Sequence, residues 1–405
     1  MSPPRRWPLH PRPGPLESLS SWLERLARLY NLSVKDLLTH NLGLLDLTVP
    51  ADLDHDPPAM MLAALAERTG VEPAHLKAMT LAGWEPWLFD TLYLRQWDAQ
   101  ATFDIYVRGN SVLLAPGEAG TNQVSRWRTW GGPWFPVRWL NRVCPACAAD
   151  LDRGKALVWR LPLMIGCVEH RCRLEDTPDL TPSIALDGER PQPIPVDEPL
   201  ATLDRYTHEA LTTGRVPLPG RTVHVGVWFR LLRSLLDEVS LALTTRSTHG
   251  RTTLEQIWQS AGRPERAGLT SWRPYEQLDW DTQEALLHAA ATALQLVASG
   301  RITARGRLGS ALRPAPHRPV YDGDQPSPHG PFPHHNAWQE AMAEVEAAIT
   351  LARTDRDTAR QLLALLTLGC RTLDRFEKER AYLFGIGIPA DFLPSARELG
   401  RVDLA

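Results

Sequence analysis

Two pairs of metal-ligating side chains, about twenty residues apart, constrain this sequence more than any other feature. The first pair is Cys144 and Cys147, and the second is Cys167 and His170. Each pair has the spacing of a zinc knuckle, in which both side chains turn towards one tetrahedral ion. Three thiolates and one imidazole favour zinc over harder cations. The sequence therefore predicts one structural zinc ion, with a β-strand over the apolar stretch 156–166 leading to the second pair.

Three other interpretations of these residues stay open. The thiols could be isolated and buried, or they could form disulfides, although five cysteines in 405 residues without a signal peptide are typical of a reducing compartment. A catalytic zinc would need an open coordination position and a nearby acid, for which Glu169 is the candidate. Four protein ligands close a zinc site, so we expect a structural ion. Cys172 and Cys370 lie outside the two pairs.

The first third of the chain has the periodicity of short helices arranged in two similar pairs. In the first pair, Ser18 precedes an apolar helix, and Asn31 and Ser33 mark the turn and the start of the second helix. In the second pair, Gly70 and Pro73 occupy the corresponding positions. Such helix-turn-helix-like units could place a helix in a DNA groove or could form a compact four-helix bundle. Because the second helices carry few basic side chains, we expect the bundle.

Arginine is concentrated in two stretches that contain no acidic residue, 122–142 and 301–319. Guanidinium groups bind phosphates, and the aromatic side chains interleaved in the first stretch could stack on bases. The candidate nucleic-acid contacts are Arg126, Arg128, Arg138, Arg142, Arg301, Arg305 and Arg307. The alternative for the first stretch is a tryptophan-rich core that joins the zinc module to the helical bundle.

Shifts in composition divide the chain into successive segments. They are a Pro/Arg-rich lead (1–15), a helix-turn-helix-like region (16–120), a Trp/Arg-rich collar with the zinc module (121–176), a Pro-rich linker (177–200), a helical region that could bind DNA (201–313), a Pro/His-rich linker (314–335), and a helical hairpin with a tail (336–405). The expected fold class is mainly α. It comprises an N-terminal helical bundle joined to a small zinc ribbon or finger with short β-strands, followed by a second all-helical region.

Charge and hydropathy exclude several classes of protein. The formal net charge of −3 argues against a uniformly basic nucleic-acid coat, so DNA contact would come from local patches. No apolar run approaches the roughly eighteen residues of a membrane span, and the N-terminus lacks the apolar core of a secretory signal. We therefore expect a cytoplasmic protein without a membrane partner. The sequence has no P-loop, G-x-S-x-G or H-E-x-x-H motif, which argues against a hydrolase or nuclease.

The combination of motifs resembles the TniQ family, which includes the TnsD-type target selectors of bacterial transposons. The stretches that carry the resemblance are ESLSSWLERLA, LAERTGVEPAHLKAMTL, and RVCPACAAD followed by WRLPLMIGCVEH. The resemblance implies a non-enzymatic adaptor that connects target recognition, on DNA or through a CRISPR RNA-guided complex, to the transposon's AAA+ ATPase. It also implies that Cys144, Cys147, Cys167 and His170 hold zinc. A stand-alone, zinc-containing helix-turn-helix regulator that binds DNA is the alternative function.

Overall fold

The chain forms two compact units, each assembled from separate stretches of sequence. Unit 1 comprises Met1–Tyr93, Pro133–Thr213 and Glu276–Leu287, and unit 2 comprises Leu94–Gly132, Gly214–Tyr275 and His288–Ala405. The computed structural model describes residues 6–43, 52–85, 87–89, 92, 111–115, 130–136, 138–150, 152–177, 192–241, 247–265, 273–306, 308–312, 345, 348–367 and 370–401. Helices dominate these residues, as the sequence predicts.

Four short helices occur among the described residues of the N-terminal part of unit 1. They are α1 (Leu19–Leu29), α2 (Val34–Asp36), α3 (Ala59–Thr69) and α4 (Pro73–Ala78), with a π turn at Leu37–Asn41 and a 3-10 turn at Leu81–Trp84. As predicted, Ser18 and Ser33 cap α1 and α2, because their hydroxyls accept the N–H groups of Ser21 and Asp36. Gly70 ends α3 with a φ of 73°, a left-handed conformation that glycine adopts without strain.

These helices share one apolar core. Trp22, Leu23 and Leu26 of α1 are fully buried, together with Leu65 of α3 and Leu76 of α4. Burying a side chain of this size removes about 1.5 to 3 kcal/mol of unfavourable hydration. The apolar side chains of α1, α3 and α4 therefore form a common core, against which the partly buried Val34 of α2 packs.

Hydrogen bonds and ion pairs tie the bundle to the rest of unit 1. The Arg160 guanidinium binds both carboxylate oxygens of Asp52, at 3.0 Å each, and one oxygen of Asp54 at 2.6 Å. Asp54 is buried and also accepts the backbone N–H and the hydroxyl of Ser20, both at 2.7 Å. The start of α1 is thus fixed to the segment that lies between the two cysteine pairs.

That segment differs from the strand predicted over 156–166. Leu157–Arg160 is a 3-10 turn, and a tight turn follows in which the N–H of Leu163 donates to the carbonyl of Leu161 at 2.8 Å. Pro162 lies within this turn, and proline has no N–H to donate to a β-ladder. The strands in the described part of unit 1 are β1 (Arg142–Val143) and β2 (Glu175–Asp176), which pair antiparallel.

The second region departs from the all-helical prediction because it contains a β-hairpin. Strand β3 (Arg215–Leu218) pairs antiparallel with β4 (Arg221–His224). Between them Gly220 has a φ of 93°, which fits the Pro-Gly sequence of the connecting turn. The described helices after β2 are α5 (Glu198–Thr213), α6 (Val225–Val239), α7 (Thr248–Ser260), α8 (Trp280–Ala298), α9 (Arg356–Leu366) and α10 (Leu373–Gly385).

The C-terminal part of unit 2 contains two consecutive helices. Thr367 ends α9, and Thr372 caps α10 through its hydroxyl. The two helices bury Leu363 and Phe376 in a common core. No described helix has the length and apolar character needed to cross a bilayer.

Candidate metal centre

Four side chains from the two predicted knuckles meet at one point in unit 1. The ligand atoms of Cys144, Cys147, Cys167 and His170 all lie within 4.8 Å of one another. His170 Nδ1 is 3.5 Å from the sulfur of Cys144, 3.4 Å from that of Cys147, and 3.5 Å from that of Cys167. The sulfurs of Cys147 and Cys167 are 3.9 Å apart. The three cysteines are buried, and His170 is the least buried of the four.

These distances match the edges of a zinc tetrahedron. With Zn–S bonds of about 2.3 Å and Zn–N bonds of about 2.0 to 2.1 Å, two sulfurs on one ion are about 3.8 Å apart and a sulfur and a nitrogen about 3.6 Å apart. The measured separations differ from these edges by a few tenths of an ångström or less. The donor set is also the one that zinc prefers. The cluster therefore fits a zinc ion with four protein ligands.

Local structure places the first knuckle. Strand β1 ends at Val143, and Cys144 follows as the N-cap of a single helical turn, Pro145–Ala148. The sulfur of Cys144 accepts the backbone N–H of Cys147 at 3.4 Å. Pro145 suits the first position of this turn because that position needs no N–H donor. The sulfur of Cys144 is thus fixed by this backbone donor, and the helical turn places Cys147 on the same side.

The second knuckle is a tight turn closed by two backbone hydrogen bonds. The N–H of Arg171 donates to the carbonyl of Cys167 at 2.8 Å, and the N–H of Cys167 donates to the carbonyl of Cys172, also at 2.8 Å. Arg171 has a φ of 50°, which reverses the chain after His170. Because β2 pairs with β1, this turn lies next to Cys144.

Asp204 of α5 holds the chain just before Cys167. Its buried carboxylate accepts the N–H groups of Ile165 at 3.1 Å and of Gly166 at 2.7 Å. A Cβ atom at position 166 would lie 2.6 Å from a methyl carbon of Val196, so glycine permits this close approach. Burial raises the pKa of Asp204 to about 7. Sequence reasoning did not identify this residue, and only its short distance from two backbone donors reveals its role.

The proline-rich segment before α5 completes the module. The N–H of Arg173 donates to the carbonyl of Ile194 at 2.8 Å, and the N–H of Val196 donates to the carbonyl of Arg171 at 3.0 Å. Within the expected linker at 177–200, this part is therefore an extended strap along the second knuckle. The guanidinium of Arg173 also forms an ion pair with Glu284 of α8 at 2.6 Å.

Arg142 has a structural role in place of the predicted contact with nucleic acid. Its side chain is buried and donates to the carbonyls of Trp159, Leu161 and Met164 at 3.3, 2.9 and 3.0 Å. The guanidinium also stacks on the ring of Trp280, 3.7 Å from its centroid. These contacts occupy the group that a phosphate would need, so we remove Arg142 from the candidate DNA contacts.

The other predicted arginines divide into two groups. Arg138 in unit 1, and Arg301 and Arg305 in unit 2, have exposed side chains. Arg126, Arg128 and Arg307 lie outside the described residues. The exposed side chains remain candidates for phosphate contact.

The thiols of the cluster share hydrogen bonds. The contact with Cys147 holds the pKa of the Cys144 thiol far below its ordinary value, and the same contact raises the pKa of Cys147. One sulfur is thereby favoured as a thiolate, the form that binds metal. Binding a zinc ion would release the protons that the other thiols keep.

Glu169, the candidate catalytic acid, forms an ion pair. Its carboxylate binds the guanidinium of Arg153 at the surface. This hydrogen bond lowers the pKa of Glu169, whereas a general acid needs a raised pKa. The surroundings of Glu169 thus suit a structural ion pair.

Cys172 supplies a fourth sulfur at the cluster, and the sequence prediction had set this residue apart from the ligands. It is buried, and its sulfur lies 3.4 Å from that of Cys144. The only sequence signal was its position two residues after His170. Cys370 belongs instead to the C-terminal core of unit 2.

Comparisons with known proteins give one result that bears on this site. Residues 8–174 match the family model TniQ, and this range contains the N-terminal bundle and all four candidate ligands. No curated protein and no solved structure matched the chain. The match agrees with the motifs that carry the resemblance in the sequence. Residues 8–174, about two fifths of the chain, are therefore similar to the TniQ family.

Proposed function

We propose that this chain is a non-enzymatic, zinc-containing adaptor for transposon target-site selection. In this role it links a target-recognition module, either DNA-binding or RNA-guided, to the AAA+ ATPase of transposition. The observation that carries the proposal is the TniQ match over 8–174, a range that includes the whole candidate zinc site. A link of this kind acts by raising the effective concentration of one partner near the other, which requires binding surfaces and no chemical step.

The coordination of the candidate site supports a structural use of zinc. Four protein ligands surround one position, whereas a catalytic zinc keeps a position open for water or substrate. The site also holds together backbone segments that are distant in sequence, since Cys144 and His170 belong to different turns. Zinc would therefore hold these segments of unit 1 in one arrangement.

Contact with DNA is part of the same proposal. Arg138, Arg301 and Arg305 are exposed and can neutralise phosphates, and a net charge of −3 leaves such contact to local patches. We expect this contact to be largely independent of sequence, because phosphate contacts position a protein and carry no base information. A CRISPR RNA-guided complex or a DNA-binding partner would supply the target sequence.

The test is a transposition assay reconstituted with a transposase and a AAA+ ATPase. One arm contains the chain, one omits it, and in both arms the insertion sites are sequenced. We expect insertions at the target to be lost without the chain, while strand transfer by the transposase on pre-cut ends continues. Immobilised chain should also retain the ATPase.

Identical insertion sites and frequency in both arms, with no ATPase retained, would contradict the adaptor role. A regulator that acts alone would then be the better interpretation, and it makes a different prediction for DNA binding. It should protect one defined sequence, with an affinity that survives rising salt better than phosphate contact does.

A further inference from the structure

The fourth sulfur at the candidate zinc site, that of Cys172, is placed to act as a ligand. Cys172 Sγ lies 3.4 Å from Cys144 Sγ, near the edge of about 3.8 Å between two thiolates on one zinc ion. Cys172 is 2% exposed, so its sulfur is held among protein atoms and away from solvent. We propose that Cys172 is a reserve ligand, which takes the place of His170 on the metal when the imidazole leaves.

The backbone holds Cys172 more firmly than it holds His170. Cys172 forms an antiparallel bridge with Pro195 of the strap, and its carbonyl accepts the N–H of Cys167 at 2.8 Å. His170 lies in the turn between these contacts, next to the left-handed residue Arg171. Opening this turn would withdraw the imidazole and leave the sulfur of Cys172 beside Cys144.

The exchange is balanced in atoms and charge. The bond between zinc and His170 Nδ1 breaks, and a bond between zinc and Cys172 Sγ forms. The Cys172 thiol gives its proton to water as it becomes a thiolate, so the ligand set changes from three thiolates and one imidazole to four thiolates. Zinc accepts both sets, and a fourth thiolate is a softer ligand than imidazole.

Side-chain rotation supplies the necessary movement. The Cys172 sulfur contacts the cluster at Cys144, outside the set of four ligand atoms that lie within 4.8 Å of one another. A change of χ1 moves a cysteine sulfur without moving the backbone. The exchange therefore needs no break in the β1–β2 pairing.

Cobalt substitution tests the proposal, because charge-transfer absorption grows with the number of thiolates on the ion. The full chain is loaded with Co²⁺ as wild type, His170→Ala, Cys172→Ser and the double variant. We expect wild type and Cys172→Ser to share a three-thiolate spectrum, and His170→Ala to show a fourth thiolate. The double variant should lose this fourth band.

Zinc affinity, measured by competition with a chromophoric chelator, gives a second readout. We expect the double variant to bind zinc at least about tenfold more weakly than His170→Ala, since it lacks both candidates for the fourth position. The matched control is His170→Ala combined with Cys370→Ser, which removes a buried thiol from unit 2 and should bind zinc as His170→Ala does.

A variant that keeps all four primary ligands remains testable even if His170→Ala does not fold. A pocket of about 260 Å³ reaches Cys147 and Cys167, so a chelator can approach the site from that side. We expect Cys172→Ser to release zinc to the chelator about tenfold faster than wild type, because no sulfur captures the ion when His170 departs. Equal release rates, or a His170→Ala spectrum with three thiolates, would overturn the proposal.

Discussion

Individual side chains hold the backbone around the candidate metal ligands in place through specific hydrogen bonds. The thiolate ligands depend on neighbours that the sequence does not place near them, such as the Asp204 carboxylate behind Gly166. A typical intramolecular hydrogen bond contributes about 0.5 to 1.5 kcal/mol to stability. The geometry of the four ligands is therefore the result of a larger set of contacts, and the ligands themselves are the part most sensitive to change.

Replacing one ligand should abolish zinc binding and also destabilise the local fold. In zinc domains the metal-binding free energy is largely folding free energy, on the order of 10 kcal/mol. We expect Cys147→Ser to purify without stoichiometric zinc and to melt at a lower temperature than wild type. Plasma mass spectrometry and a thermal melt measure the two effects.

Cys370→Ser is the control for that substitution, because it removes a buried thiol from the C-terminal core. It should keep one zinc ion per chain. An unchanged zinc content in Cys147→Ser would exclude this residue from the ligand set.

At the scale of a helix, α6 shows how one buried carboxylate orders a distant segment. Glu238 accepts the N–H groups of Val112, Leu113 and Leu114 at 3.0, 2.8 and 3.2 Å. Burial nevertheless raises the pKa of Glu238 to about 8, which means that desolvation outweighs the three donors. The segment 112–114 is thus held by a carboxyl group whose neutral form is favoured.

This pKa predicts how stability changes with pH. The folded chain keeps the Glu238 proton up to about pH 8, whereas the unfolded chain releases it near pH 4.5, so the native state binds more protons between these values. The free energy of unfolding should fall as pH rises through this window, by at most about 1.4 kcal/mol per pH unit from this group. Glu238→Gln should lack this part of the slope.

Urea unfolding from about pH 5 to about pH 8 measures the difference. The matched control is Glu255→Gln, which makes the same change of charge at an exposed position of α7 and should follow wild type. Parallel curves for wild type and Glu238→Gln would mean that the carboxylate stays ionised in the folded chain and that the backbone donors dominate.

At the scale of the molecule, unit 1 extends beyond the part that matches the TniQ model. The match ends at residue 174, whereas Asp204, Trp280 and Glu284 contact the metal module from later in the chain. Asp204 accepts backbone N–H groups, Trp280 stacks on Arg142, and Glu284 forms an ion pair with Arg173. Together these contacts contribute several kcal/mol, a sizeable part of the roughly 5 to 15 kcal/mol that stabilises a domain. We therefore expect that the matched region does not fold stably on its own.

A truncation series tests this conclusion. We expect residues 1–177 alone to lack a cooperative thermal transition, and residues 1–213, which restore Asp204 and the strap, to bind zinc more tightly than the shorter fragment. The full chain should bind it most tightly. A 1–177 fragment with the zinc affinity and melting temperature of the full chain would contradict the expectation.

The local pattern of the sequence determined the four candidate ligands and several boundaries of the N-terminal helices α1 to α4. The knuckle spacing, the caps at Ser18 and Ser33 and the turn at Gly70 can be predicted from the sequence. Each depends only on the backbone geometry of residues that are close in sequence. The predicted strand over 156–166 failed for a local reason as well, since Pro162 favours a turn.

Long-range packing decided the remaining features. Arg142 looked like a phosphate contact among its aromatic neighbours, but three carbonyls and the ring of Trp280 surround it. In the sequence Cys172 lies outside both ligand pairs, whereas in the folded chain the turn at Arg171 places its sulfur next to that of Cys144. Asp204 lies 38 residues from Gly166 in sequence, and only folding makes its carboxylate a partner of that backbone. A linear pattern cannot supply these pairings, because burial and distance between remote residues exist only once the chain has folded.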